Sequence, residues 1–195
     1  MKSFAVYLLF LEALLSGCGR SSPTTYYLLE SGSELVTVDG VPKKTLRVAQ
    51  VETPAYLGRN NIVSRVEDEP SLVLAEFHLW AEPVSNGVRR VVAETLTEPL
   101  LARGLYVLPT GTEEHGDYVL VIDVQRLDAN FDQKAILDAR WALLDRDDRP
   151  LERGIFSAGE QVDGKGYSCL VRAESRLLRK FASHLSETLP ARLSR

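Results

Sequence analysis

Apolar positions follow three different rhythms along this chain. From Phe4 to Gly17 they run almost unbroken, with Glu12 the one charged residue, and the run stops at Cys18 before the polar stretch Gly19-Arg20-Ser21-Ser22-Pro23. Beyond it come short runs and single alternations, the period of a half-buried strand. Thr25-Tyr26-Tyr27-Leu28-Leu29 predicts a first strand. Asp39-Gly40 marks a turn between Leu35–Val38 and the run Thr45 to Glu52, where Leu46, Val48 and Gln50 alternate against Arg47, Ala49 and Val51. Pro54 to Asn61 has no period and predicts an irregular segment. Ile62–Val66 and Leu72–Leu74 then predict two strands, with Glu67-Asp68-Glu69-Pro70 connecting them as a hairpin.

At Val84 the period lengthens. Val84, Val88, Val91, Val92, Leu96 and Leu100 are spaced as one face of an amphipathic helix. Pro83 suits its first turn, Pro99 predicts an end or a kink, and Arg103-Gly104 closes the unit. Leu105–Leu108 predicts a short strand. Asp117–Asp128 then alternates, with Tyr118, Leu120, Ile122 and Val124 on one face. Lys134–Asp145 does the same with Ala135, Leu137, Ala139, Trp141 and Leu143, and Leu151–Val162 follows a charged turn, Asp145 to Pro150. Three long strands joined by short turns predict an antiparallel meander. Leu170, Glu174, Leu177, Leu178, Phe181, Leu185 and Leu189 return to helical spacing. The pattern as a whole predicts one α/β (α+β) domain, a mainly antiparallel mixed sheet with two long helices packed on it.

The leading apolar run is too short for a membrane span, which needs about 20 such residues. Lys2, the apolar stretch and the small residues before Cys18 have the arrangement of a cleaved secretory signal. Leu15-Ser16-Gly17-Cys18 also resembles the bacterial lipoprotein signal, in which the leader is cut before a cysteine whose thiol carries diacylglycerol. The chemistry requires a thiol there, because the lipid is held on a thioether, and the new amino group takes a further chain such as palmitate. Several acyl chains anchor a protein durably where one does not. The expected organisation is therefore a signal peptide at 1–17, the acylated Cys18 with a short linker at 18–24, and the domain at 25–195. Gly19 in place of Asp after the cysteine predicts the outer membrane, and the linker reaches only about 20 Å when extended.

Composition narrows the function. The chain has 195 residues and a net charge of −4, enough length for one good core and no basic surface for nucleic acid. Catalytic and metal chemistry find little support. His78, His115 and His184 are scattered, and neighbouring residues in Glu113-Glu114-His115-Gly116-Asp117 cannot all face one ion. No nucleophile elbow, P-loop or dinucleotide fingerprint is present. Cys169, the one thiol left beside Cys18, reads as a small, partly buried side chain. The expectation is no enzyme, no metal and no cofactor. A hydrolase would need a cleft with titratable groups, for which Asp123, Asp138 and His115 are the candidates.

Three further stretches carry a family resemblance. They are Tyr26-Tyr27-Leu28-Leu29; Pro54-Ala55-Tyr56-Leu57 with Arg59 and Ile62-Val63; and His78-Leu79-Trp80-Ala81-Glu82-Pro83-Val84 entering a helix. Their order resembles the PqiC-like family of ABC-type transport auxiliary lipoproteins associated with mammalian-cell-entry (MCE) lipid transporters. The resemblance implies a non-enzymatic subunit on the periplasmic face of the outer membrane, supporting envelope integrity through contact with the MCE-domain protein of an inner-membrane ABC transporter. Tyr56 and Arg59, in the irregular segment, are the candidate contacts for that partner or for a homo-oligomer; Tyr56 and Leu57 alternatively just cover the sheet. Trp80 and Pro83 form a structural junction between sheet and helix. The alternative function is a stand-alone lipid- or ligand-binding envelope lipoprotein with its own pocket.

Overall fold

A computed structural model describes residues 22–33, 40, 42, 44–66, 69–112 and 114–189. Cys18 and its leader, and the Leu35–Val38 segment ahead of the expected turn, lie outside the described residues. Among the described residues eight strands form one mixed sheet: β1 (Thr25–Tyr27), β2 (Lys44–Val48), β3 (Asn61–Arg65), β4 (Leu72–Trp80), β5 (Leu105–Val107), β6 (Tyr118–Ala129), β7 (Lys134–Asp145) and β8 (Pro150–Gln161). The two long helices are α1 (Val84–Leu101) and α2 (Tyr167–Thr188). The expected single α+β domain is the observed one.

β6, β7 and β8 make the meander, paired antiparallel along their lengths. Alternation decides their register. Leu120, Ile122 and Val124 face the helices from β6, and Ala135, Leu137, Ala139, Trp141 and Leu143 do so from β7, all buried. On its other side β6 meets two partners end to end: β2 runs parallel to its start, Tyr118 to Leu120, and β3 touches it at Ala129. β5 extends the sheet beyond β2, and β4 then β1 extend it beyond β3.

Both helices pack on one face and against each other. α1 covers β2 and β5, while α2 covers the meander, where Phe181 meets Phe156 of β8 at 5.0 Å between ring centroids. At about 25 cal/mol per Å² of apolar area, this shared core is what holds the layers together.

Four expectations change in detail. The strand after Asp39-Gly40 ends at Val48, so Gln50 is exposed and Val51 buried, contrary to the expected alternation. Only one isolated bridge, Glu52 to Asp123, continues the pairing. The irregular segment contains a 3₁₀ turn, Ala55–Gly58. β4 runs on to Trp80, because a register shift against β3 lets it continue where the apolar alternation fails. Pro99 neither ends nor visibly interrupts α1, which reaches Leu101; so near the C-terminal end the lost hydrogen bond is one of few remaining.

Candidate contact site

The 3₁₀ turn fills a gap in the sheet. Between the Asp123 bridge to Glu52 and the Ala129 contact with β3, β6 has no strand on its β2–β3 side among the described residues. There the Leu127 N–H donates to the Tyr56 hydroxyl oxygen at 3.2 Å. The Tyr56 O–H donates in turn to Asp128 Oδ2 at 3.3 Å. Tyr56 thus replaces a missing ladder bond and turns its hydroxyl inward, with Leu57 buried beside it.

Asp128 is the centre of this arrangement, and it is 1% exposed. Arg65 of β3 donates to it through Nε at 3.0 Å and Nη2 at 2.8 Å. Arg126 donates from the same strand through Nε and Nη2, at 3.0 and 2.9 Å to Oδ1. Burial on its own would raise the Asp128 carboxyl; the two guanidiniums outweigh burial and hold it below the usual carboxylate range. Tyr56 is raised, by burial first and by the nearby carboxylate. The loop is therefore pinned at Tyr56 while Arg59, three residues on, stands exposed at its tip. Of the two candidate contacts, the structure holds Tyr56 half-buried as the fastener and leaves Arg59 on the surface.

Trp80 ends β4 with 5% exposure, and its N–H donates to the Asn60 carbonyl at 2.6 Å, tying the same loop to the sheet. Pro83 caps α1 and its carbonyl accepts from the Asn86 and Gly87 N–H groups. Beside this junction Arg90 of α1 grips Glu82 Oε1 through Nε and Nη2 at 3.1 and 2.6 Å, and donates to the Leu29 carbonyl.

The histidines lie apart. His78 hydrogen-bonds through Nδ1 to the Tyr27 hydroxyl at 2.8 Å and stacks on Tyr167 at 4.1 Å. Phe131 meets Tyr167 edge-on at 5.1 Å, so this set closes the start of α2 onto the sheet. His184 lies at 5.6 Å from Phe156. His115 is exposed, and its neighbour Asp117 fastens β2 by accepting from the Thr45 N–H and hydroxyl at 2.9 and 3.0 Å. The Thr45 contacts, led by its N–H, hold Asp117 below its ordinary value. Asp138 accepts from the Ser157 hydroxyl at 2.6 Å on a different part of the sheet from His115. Cys169 is partly buried, with Arg172 Nη2 at 3.2 Å from its sulfur. Among the described residues no group of three or more His, Cys, Asp or Glu is placed to hold a metal, and no helix is long and apolar enough to cross a membrane.

Sequence reasoning missed one residue of consequence. The spacing of Glu174 puts it on the apolar face of the last helix, where a carboxylate is the one charged type among the apolar positions. It is 2% exposed, and its Oε2 has no hydrogen-bond partner among the described residues. Burial, with a smaller push from the Asp128 charge, raises its carboxyl to about 8. At neutral pH it is largely a neutral acid inside the core.

The family model described as ABC-type transport auxiliary lipoprotein component matches residues 26–186. The chain belongs to this family. The match spans both helices, the meander and the Tyr56 loop, as the three resembling stretches implied. Two solved structures share the fold. A crystal structure of an uncharacterized protein is 20% identical, with a TM-score of 0.71, covering 86% of this chain and 99% of its own. A Xanthomonas campestris protein is 16% identical, with a TM-score of 0.68, covering 88% of this chain and 98% of its own. No curated protein matches the chain. As a member of the family, the chain is a transport-associated lipoprotein component.

Proposed function

We propose that this chain is a lipid-anchored subunit that serves an MCE-type ABC lipid transporter by protein contact. Cys18 carries the acyl chains, and the domain stands on the periplasmic face of the outer membrane. Its partner is the MCE-domain protein reaching from the inner membrane, and the pair supports envelope integrity. The match to a family of transport auxiliary lipoproteins over residues 26–186 carries this reading. The Leu-Ser-Gly-Cys sequence at 15–18 supports the anchor. The pinned loop supports contact: Tyr56 and Asp128 fix its base, so a partner that engages the exposed Arg59 has the side chain to order but not the loop backbone.

The test is crosslinking in intact cells with a photoreactive residue at position 59, followed by mass spectrometry. Recovery of an MCE-domain protein is expected. Recovery of cell-wall enzymes alone would overturn the reading. The alternative, a cargo-carrying lipoprotein, predicts that the purified chain co-elutes with extractable phospholipid.

A further inference from the structure

Among the described residues the sheet ends in three edge strands. β1 and β5 have three residues each, too short to template another chain, whereas β8 has 12 and pairs only with β7. A long open edge is normally blunted by proline, a bulge or an inward charge. Pro150 and the register shift beside it blunt only the start of β8. From Arg153 to Gly159 the pairing with β7 runs without a shift.

The ladder decides which backbone groups face outward. The Val162 N–H donates to the Gln133 carbonyl at 2.8 Å, and in an antiparallel pair such bonds return at every second residue. The even-numbered residues of β8 therefore bond to β7, while Arg153, Ile155, Ser157 and Gly159 turn their N–H and C=O groups away from it. Gln161 follows the same alternation: its carbonyl accepts from Arg176 Nη2 of α2 at 2.7 Å, which closes that end of the edge. Among the described residues no backbone partner meets Arg153, Ile155, Ser157 or Gly159 on the outer side, and all four are exposed, Ile155 by 77%.

Both flanks of this open stretch carry positive charge. On the face away from the helices, a shallow groove of about 670 Å³ is lined by Val121, Ala142 and Ile155, with Arg140 and Arg153 against Asp123. Neither guanidinium takes part in an ion pair among the described residues. On the α2 side, a second groove of about 450 Å³ is lined by Arg176, Arg179, Lys180 and His184 against Glu187, with Glu160 of β8 shared between Arg176 and Lys180.

We infer that the Arg153–Gly159 edge of β8 takes an added strand from another protein, an extended segment that mixes acidic and apolar residues. The outward N–H and C=O groups supply the attachment, and the flanking side chains supply the choice. On the open face a carboxylate suits the place beside Arg153 and an apolar side chain the place beside Ile155. On the α2 side an apolar residue meets Phe156, and a carboxylate meets the Lys180 end of the groove. A basic segment is repelled on both flanks. This edge is distinct from the Arg59 loop, which lies beyond β6, two strands away. The inference rests on the contact-subunit reading for its purpose, while its test does not involve the transporter.

The test is the fluorescence anisotropy of a labelled heptapeptide, Thr-Glu-Thr-Val-Val-Thr-Glu, titrated with the full chain in non-denaturing detergent. Saturable binding with a Kd on the order of 100 μM is expected. Replacing both glutamates by lysine is expected to weaken it at least tenfold. Methylating one alternating set of the peptide's backbone nitrogens is expected to abolish binding and methylating the other set to spare it, because an added strand turns only one set toward β8. Ser157→Pro removes an outward N–H without touching a bond to β7, and is expected to abolish binding. Ser157→Ala, which loses only the hydroxyl bond to Asp138, is expected to bind as wild type. Arg153→Glu is expected to reverse the preference toward the lysine peptide, and that reversal also shows the variant to be folded. Failure of the acidic peptide to bind at about 1 mM, equal binding of both methylated forms, or a Ser157→Pro chain that binds as wild type would each overturn the inference. So would an edge already occupied by a second copy, read as a doubled mass in sedimentation with no peptide bound. An MCE-domain protein captured through position 59, with no peptide binding, would remove this edge and leave the proposed function standing.

Discussion

Two carboxyl groups within reach of each other's field are driven in opposite directions. Asp128 is held charged by Arg65 and Arg126, and Glu174 is held neutral by the core, with Asp128 adding to the effect. Their consequences for stability therefore oppose one another. Glu174 has a folded value of about 8 against an ordinary value of 4.5, so between those limits the folded chain holds a proton that the unfolded chain releases. Its contribution falls as pH rises through that window, by roughly 1.4 kcal/mol per pH unit at most. Glu174→Gln removes the titration, so the variant gains on wild type from pH 5 to pH 8, by a few kcal/mol. Thermal melts at the two values measure it; an unchanged difference would show that Glu174 does not titrate in this window. Asp128, held below its ordinary value, stabilises the fold above the usual carboxylate range and loses that contribution in acid. Asp128→Asn leaves two part-exposed guanidiniums with a weaker acceptor and is expected to cost about 2 kcal/mol in urea unfolding. Tyr56→Phe loses the bonds to Leu127 and Asp128 and costs about 1 kcal/mol.

Elements show where sequence reasoning has purchase. β7 runs over Lys134–Asp145 as the alternation predicts, because a period of two with one buried face leaves no second register. The helices are equally legible from their apolar spacing. The short parallel ladders are not. β1, β2 and β5 have three to five residues each, and their partners lie far along the chain, so nothing local names them. The apolar pattern predicts only Leu72–Leu74 of β4, a third of its length, because beyond Leu74 the strand's register shifts against β3. Tyr56 was legible as a special residue but not as a fastener, since the Leu127 N–H it satisfies is orphaned only by the gap between β2 and β3. Gly154 shows the same limit. It reads as an ordinary weak position in β8, yet a Cβ there would lie 2.6 Å from the Trp141 ring, its cross-strand partner. Gly154→Val is expected to cost about 1–3 kcal/mol through displacement of that indole. Urea unfolding and the near-ultraviolet dichroism of Trp141 check it; an unchanged Trp signal would contradict the packing.

At the scale of the whole molecule, the described residues form two layers that leave one sheet face covered by helices and the other open, with a pinned loop at the sheet's internal gap. The groups raised as hydrolase candidates are separate: Asp138 on a serine hydroxyl, Asp123 in the open groove, and His115 on an exposed stretch. What the molecule offers is surface, and surface acts only where it is held. The account therefore turns on Cys18 as the point of attachment, and the direct measurement is the intact mass of the chain isolated from bacterial envelopes. The account predicts a polypeptide beginning at Cys18 and heavier by diacylglycerol and an amide-linked acyl chain. An unmodified thiol, or a leader still in place, would contradict it.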